Sequence, residues 1–228
     1  MSASWPVFET PHSPVGASRE RVDVWQAELD TGPLAAAAEY RLLSAAERAR
    51  AARLRVGAGR WIAARAALRR VLGRYLDQAP ERIAFTVGAG GKPALGPTLG
   101  GDLRFNLSHS GAVALIAVGF GREGGVDVEQ IRNDVDGAAI ARELFAANER
   151  IAMAERANGD GGDSFFAAWV CREALAKAAG GGIAHRVRAA DTARFRVREL
   201  DGIPGYAAAV ASEGAGWCVA RMYDDAPA

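Results

Sequence analysis

The amino-terminal part of the chain alternates apolar and polar residues around Val22 and Val24, which is the pattern of a half-buried β-strand. Ser44 and Glu47 have the spacing of a capping box, in which each side chain binds a free backbone amide at a helix start. A longer helix is predicted over 60–76, because its apolar residues follow a helical stripe. The residues of that stripe are Trp61, Ile62, Leu68, Val71, Leu72 and Leu76.

The middle of the chain contains short apolar runs that predict strands at 83–87, 103–107 and 113–118. A glycine-rich turn is predicted at 88–93, since glycine relieves the steric limits on the backbone. The polar residues 108–111 are expected to connect two of the strands.

The second half of the chain repeats this mixture of strands and helices. Residues 125–129 alternate as in a short strand, 138–156 have a helical composition, and 164–179 are predicted to form a second long helix that ends at three glycines. Weak alternation that is typical of antiparallel strands follows at 195–197, 206–211 and 217–222.

These elements predict an α+β fold with two similar lobes. Each half of the chain has one long helix and several strands, so we expect a flexible tail at 1–20, an amino-terminal lobe at 21–122 and a carboxy-terminal lobe at 123–228. Each lobe is expected to be a small, mainly antiparallel sheet packed on its long helix.

Composition narrows the function classes. The 228 residues carry a net charge of +1, which argues against a nucleic-acid-binding protein. No apolar run is long enough to predict a membrane span, and residues 1–20 lack the pattern of a signal peptide. The two cysteines, Cys171 and Cys218, provide no disulfide framework. We therefore expect a cytoplasmic protein.

The basic residues are unevenly distributed. Ten arginines and a single acid, Glu47, occupy 41–74, and most arginines of the stretch 48–74 are expected to lie on a solvated helix face. Arginine occurs 26 times but lysine only twice, at Lys92 and Lys177. A lysine in this background suggests a need for its compact ammonium rather than a planar guanidinium.

Two pairs of charged residues are candidates for chemistry. Asp127 and Glu129 are two apart on a predicted strand and share a face, so their carboxylates suit Mg²⁺, although a solvent-facing strand edge is the alternative. Glu173 and Lys177 are four apart and share a face of the predicted helix. They either complete a metal–phosphate site or form a surface salt bridge.

The segment 106–111 offers hydroxyls, an imidazole and a glycine between two strands. Ser108 and His109 are able to donate hydrogen bonds to a phosphate, while a capped turn is the alternative interpretation. The chain has no P-loop, dinucleotide-binding glycine motif, serine elbow or paired Cys-x-x-Cys motif.

The order of these motifs resembles the 4′-phosphopantetheinyl transferase superfamily. The resemblance rests on Gly91-Lys-Pro93, Phe105-Asn-Leu-Ser-His-Ser-Gly111, Gly125-Val-Asp-Val-Glu129 and Trp169-Val-Cys-Arg-Glu-Ala-Leu-Ala-Lys177. The chain length and the helix that begins with Arg60-Trp-Ile-Ala-Ala-Arg65 resemble the Sfp type. The family's fold is a pseudo-twofold pair of α+β lobes with the active site between them.

The resemblance implies an enzyme that transfers the phosphopantetheine arm of coenzyme A to a serine of an apo acyl, peptidyl or aryl carrier protein. It implies a Mg²⁺-dependent monomer that releases adenosine 3′,5′-bisphosphate and serves fatty acid or secondary metabolism. The implied metal ligands are Asp127, Glu129 and Glu173. Glu173 and Lys177 are the implied base and diphosphate ligand, and Asp127 is included with them as catalytic.

The residues implied to contact coenzyme A, besides Lys177, are Arg50, Lys92, Pro93, Ser108 and His109. Arg50 is the candidate for the 3′-phosphate. Two departures from the family pattern affect these contacts: Arg172 stands where a lysine is usual, and Gly57-Ala-Gly59 replaces a charged segment. A Mg²⁺-dependent diphosphate hydrolase and a non-catalytic coenzyme A or carrier-binding module are the alternative functions.

Overall fold

A computed structural model describes residues 18–87, 93–96, 99, 101–156, 161–180 and 189–224. Nine strands and seven α-helices lie in these ranges. The strands are β1 (Arg21–Glu28), β2 (Phe85–Val87), β3 (Pro93–Leu95), β4 (Leu103–Ser110), β5 (Val113–Phe120), β6 (Gly124–Gln130), β7 (Phe195–Glu199), β8 (Tyr206–Glu213) and β9 (Cys218–Tyr223). The helices are α1 (Pro33–Leu42), α2 (Ala45–Ala51), α3 (Ala58–Leu76), α4 (Gly137–Leu144), α5 (Ala147–Arg156), α6 (Gly161–Ala178) and α7 (Ala189–Arg194). This mixture confirms the α+β class.

Two sheets form the centre of the molecule. The larger sheet has the order β4-β5-β1-β9, in which β1 runs antiparallel to β5 and parallel to β9. The smaller sheet has the antiparallel order β6-β8-β7, and β2 and β3 form a separate two-stranded hairpin. Because β9 joins the larger sheet, residues 218–223 pair with β1, the first strand that the structure describes.

The two sheets and the two long helices pack as four layers. On one face of β1, Trp25 packs with α3, while on the opposite face Val24 packs with Val126 and Val128 of the smaller sheet. The other side of that sheet packs against Val170 and the rest of α6. The expectation of a half-buried first strand is therefore wrong, since β1 is sandwiched between α3 and the second sheet.

The predicted elements agree with the structure in most places. The capping box at Ser44 is confirmed, since Glu47 and Ser44 each bind the other's backbone amide. Residues 138–156 form two helices rather than one, because Phe145 is extended between α4 and α5. The strand predicted over 83–87 includes only Phe85–Val87. The tail at 1–17 and the turn residues 88–92 lie outside the described residues, and the division into two lobes stays a prediction.

The arginine-rich stretch is partly a buried network rather than a solvated face. Arg65 and Arg69 of α3 both donate to the Glu47 carboxylate, at 2.6 and 2.5 Å, and all three side chains are buried. Arg70 in turn donates to Asp224 at 2.7 Å. Buried guanidinium groups need such partners because an unpaired buried charge is strongly destabilising. The network fixes α2 against α3.

Within the ranges that the structure describes, no helix is both long enough and apolar enough to cross a bilayer.

Candidate functional site

Strands β4 and β6 meet through side chains at the junction of the two sheets. Asn106 accepts a hydrogen bond from the Val126 amide at 2.8 Å, Ser108 Oγ donates to Asp127 Oδ1 at 2.7 Å, and Ser110 Oγ donates to Glu129 Oε2 at 2.7 Å. Ser108, His109 and Ser110 lie within β4, so the prediction of a connector over 108–111 is wrong for these three residues. Ser108 and Ser110 of β4 thereby hold the carboxylates of β6.

Helix α6 brings Glu173 and Lys177 to the same place. Lys177 Nζ lies 2.6 Å from Asp127 Oδ1, 2.9 Å from Ser108 Oγ and 3.1 Å from the Val126 carbonyl oxygen. Glu173 is only 4% exposed and accepts a hydrogen bond from Arg172 Nη1 at 2.7 Å. A solvent-exposed salt bridge is therefore the wrong description of Glu173 and Lys177.

Gly125 allows α6 to approach β6 this closely. A Cβ atom at this position would lie 2.3 Å from the Ala174 carbonyl oxygen and 2.5 Å from the Ala178 amide nitrogen. Both are backbone atoms, which are unable to move aside as a flexible side chain does. The glycine therefore brings the lysine-bearing turn of α6 within reach of Asp127.

Burial and the Asp127 carboxylate raise the pKa of both glutamates of this site. Burial raises the pKa of the Glu173 carboxyl, and the negative charges of Asp127 and Glu129 act in the same direction, against Arg172 and Lys177. Burial and Asp127 also raise the pKa of Glu129, against the hydrogen bond from Ser110. Such a cluster of negative charge is stabilised by cations.

The residues present fit a divalent cation in part. Asp127 Oδ2 is buried and has no hydrogen-bond partner, so this oxygen is available as a ligand. Within the described ranges, no three acidic, histidine or cysteine side chains converge into a complete metal centre. An incomplete protein ligand set suits Mg²⁺, which usually binds one or two carboxylates together with water and phosphate oxygens.

A cavity of about 440 Å³ adjoins β4. Its lining includes Arg50, Pro93 and His109, three of the residues expected to contact coenzyme A, while Lys92 lies outside the described residues. The Arg50 guanidinium carbon lies 5.6 Å from the centre of the Trp61 ring. Partial burial and the Lys177 ammonium lower the pKa of the His109 imidazole, which favours its neutral form.

Sequence reasoning missed several residues of this region. Ser110 and Asn106 were not singled out, although both lie two residues from Ser108 and so share its face of the strand. Trp61 was assigned to a helical stripe and Arg65 to the basic stretch, yet both line the cavity. The Arg65 guanidinium carbon also lies 4.6 Å from the centre of the Phe85 ring. The positions of Arg65 and Phe85 in the sequence do not indicate this contact.

Comparison with known protein families finds a match in the second half of the chain. The family model described as "4′-phosphopantetheinyl transferase superfamily" matches residues 124–221. The chain is 38% identical over 126 residues to 4′-phosphopantetheinyl transferase HetI of Nostoc sp. strain PCC 7120, covering 55% of this chain and 53% of the relative. It is 34% identical over 122 residues to 4′-phosphopantetheinyl transferase AcpT of Escherichia coli K12, covering 54% and 58%.

A third relative is 4′-phosphopantetheinyl transferase gsp of Aneurinibacillus migulanus, which is 32% identical over 116 residues, or 51% of this chain and 46% of the relative. The alignments thus span about half the length of the curated relatives. The matched range contains both the β6 carboxylates and the charged residues of α6. Residues 124–221 are accordingly similar to the 4′-phosphopantetheinyl transferase superfamily.

Proposed function

We propose that this protein transfers the 4′-phosphopantetheine arm of coenzyme A to a serine hydroxyl of apo carrier proteins. One observation carries the proposal: Lys177 of α6 contacts Asp127 of β6, and Glu173 of the same helix is close enough for the charges of Asp127 and Glu129 to act on its pKa. This arrangement provides the charge neutralisation that transfer at phosphorus requires.

The reaction is a displacement at the phosphorus that carries pantetheine. A bond forms from the serine oxygen to that phosphorus, and the bond from the phosphorus to the bridging oxygen of the diphosphate breaks. Adenosine 3′,5′-bisphosphate leaves with the bridging oxygen. The serine proton passes to Glu173, directly or through water; the raised pKa of this carboxyl favours its role as acceptor.

The ligands proposed for Mg²⁺ are Asp127, Glu129 and Glu173. When bound, the ion supplies positive charge that polarises the phosphoryl oxygens and orients the diphosphate. Lys177 contributes a second positive charge, which we place on the leaving diphosphate. Ser108 and Ser110 orient the carboxylates of β6 through the hydrogen bonds that they donate.

The cavity beside β4 is the proposed site for the nucleotide end of coenzyme A. Ser108 and His109 are proposed to contact its phosphates, Lys92 and Pro93 to line the nucleotide, and Arg50 to bind the 3′-phosphate. Arg50 is exposed at its position on α2, so a charged ligand reaches it without first breaking a buried ion pair.

The proposal extends to the kind of carrier protein, the subtype of the enzyme and its place in the cell. We assign the protein to the Sfp type, acting as a cytoplasmic monomer on acyl, peptidyl or aryl carriers of fatty acid or secondary metabolism. An acidic carrier helix complements the exposed arginines of the amino-terminal half, of which Arg41, Arg53 and Arg55 are examples. Such complementarity mainly accelerates the encounter.

The test is the intact mass of an apo carrier protein after incubation with coenzyme A, Mg²⁺ and this protein. We expect a gain of one phosphopantetheine arm on the carrier serine. EDTA should abolish the gain, and Glu173→Gln should lower the rate by about 100-fold or more, as expected for loss of a general base. Glu81→Gln, at an exposed acid outside the site, is the matched control and should leave the rate unchanged.

The other outcomes separate the alternative functions. Metal-dependent cleavage of coenzyme A without any gain on acyl, peptidyl or aryl carriers would identify a hydrolase. Bound coenzyme A with neither product would identify a binding module. Either result would contradict the transferase.

A further inference from the structure

The Lys177 ammonium is fully engaged with protein acceptors. An ammonium has three N–H donors, and Nζ lies within hydrogen-bond distance of Asp127 Oδ1, Ser108 Oγ and the Val126 carbonyl, at 2.6, 2.9 and 3.1 Å. A phosphate oxygen is therefore able to accept a bond from Lys177 only when one of these contacts is given up.

Asp127 is engaged on one side only. Its Oδ1 atom accepts from both Ser108 and Lys177, whereas the buried Oδ2 atom has no partner. The Asp127 side chain is 5% exposed, so water screens its charge poorly. A second cation that binds this carboxylate meets the positive charge of Lys177 at short range.

We propose that Lys177 competes with the divalent cation for Asp127, and that the diphosphate relieves this competition by drawing the ammonium to itself. The exchange keeps charges paired: the ammonium moves from one anion to another as the cation takes its place. Only the identity of the diphosphate rests on the proposed function; the competition rests on the contacts of Lys177.

This exchange couples two binding events. Since binding linkage is reciprocal, the diphosphate strengthens cation binding by the same factor as the cation strengthens diphosphate binding. Lys177 thus acts before the chemical step, by weakening cation binding until the diphosphate is in place. A lysine whose ammonium stood away from Asp127 would have little effect on binding of the cation alone.

The test measures Mn²⁺ binding to the whole protein without coenzyme A or carrier, by electron paramagnetic resonance of free Mn²⁺. Lys177→Gln, which keeps donors but removes the charge, should bind Mn²⁺ about tenfold more tightly than wild type. Lys177→Met should show the same gain, and Lys177→Arg should not. Asp127→Asn in the Lys177→Gln background should remove the gain, which locates the binding at this carboxylate.

Arg104→Met is the matched control for net charge, because Arg104 forms an exposed pair with Glu123 and its loss should leave Mn²⁺ affinity unchanged. The proposal would be overturned if wild type and both uncharged Lys177 variants bound Mn²⁺ with equal affinity. It would also be overturned if none of the three bound Mn²⁺. The carrier mass assay on wild type tests the proposed transferase activity independently of Mn²⁺ binding. Tighter Mn²⁺ binding by Lys177→Gln without arm transfer by wild type would retain the competition and reject the transferase.

Discussion

At the scale of single residues, the buried carboxylates of this protein differ in how many hydrogen bonds and positive charges stabilise their ionised form. Glu47 accepts hydrogen bonds from two arginines, and these bonds together with that from the Ser44 amide hold the pKa of its carboxyl below the usual value in spite of burial. Glu39 is buried to a similar degree, but its Oε1 atom has no hydrogen-bond partner. Burial raises the pKa of Glu39, against the hydrogen bond from Thr31 and the charge of Arg70.

Glu39→Gln is therefore expected to stabilise the protein at pH 7. A carboxyl whose pKa is raised by folding favours the folded state while protonated, and this contribution is lost as pH rises from the unfolded value, about 4.3, through the folded value. The gain in free energy of unfolding should be about 1 kcal/mol at pH 7 and should shrink towards pH 4. Urea unfolding at the two pH values measures it; an equal gain at both would show that ionisation of Glu39 is not its cause.

At the scale of elements, the contact of β6 with α6 decides whether the charged groups meet. Ala at position 125 would place its Cβ against the backbone of α6, and the helix would have to move. We expect Gly125→Ala to cost about 1–3 kcal/mol of stability, as overpacking does, and to reduce transfer about tenfold or more, because the shift of α6 moves Glu173 and Lys177 away from the carboxylates of β6.

Gly59→Ala is the matched control for this change. Gly59 lies in α3, and a Cβ there meets nothing within 4 Å. Because alanine favours helix over glycine by about 1 kcal/mol, this variant should be at least as stable as wild type and equally active. Thermal unfolding measures the stability of both variants, and the carrier mass assay measures their activity. Full activity of Gly125→Ala would show that α6 is positioned by other contacts.

The elements also show what the sequence was able to predict. Spacing alone put Asp127 beside Glu129 and Glu173 beside Lys177, since strand and helix periods are local properties. The side-chain contact of β4 with β6 through Ser108 and Ser110 was not predictable in the same way. It joins residues that are 19 positions apart and whose strands belong to different sheets. The burial of Arg65 and Arg69 was missed for the same reason: their partner Glu47 lies on another helix.

At the scale of the whole molecule, the last described strand is fastened to the first half by a buried ion pair. Arg70 donates to Asp224 Oδ2 through two nitrogens, at 2.9 and 2.7 Å, and the Asp224 side chain is fully buried. Asp224→Ala leaves Arg70 and Arg74 without this partner and is expected to cost about 3–5 kcal/mol, the usual loss when one member of a buried pair is removed.

The exposed pair of Arg60 with Asp30 is also joined by two hydrogen bonds, at 2.7 and 2.9 Å and one to each carboxylate oxygen, and serves as the control. Asp30→Ala should cost much less stability than Asp224→Ala, since solvent screens exposed pairs. Chemical denaturation of both variants compares them directly. Equal losses would mean that burial adds nothing to the Asp224 contact.

The parallel pairing of β9 with β1 has a consequence for biosynthesis. β1 is synthesised well before β9, the strand beside it, and before the Asp224 anchor, which lies 154 positions beyond Arg70. Contacts over such separations form slowly, and an unpaired strand edge invites aggregation. The nascent amino-terminal half must therefore be kept from associating with other chains until translation has supplied the strand that completes its sheet.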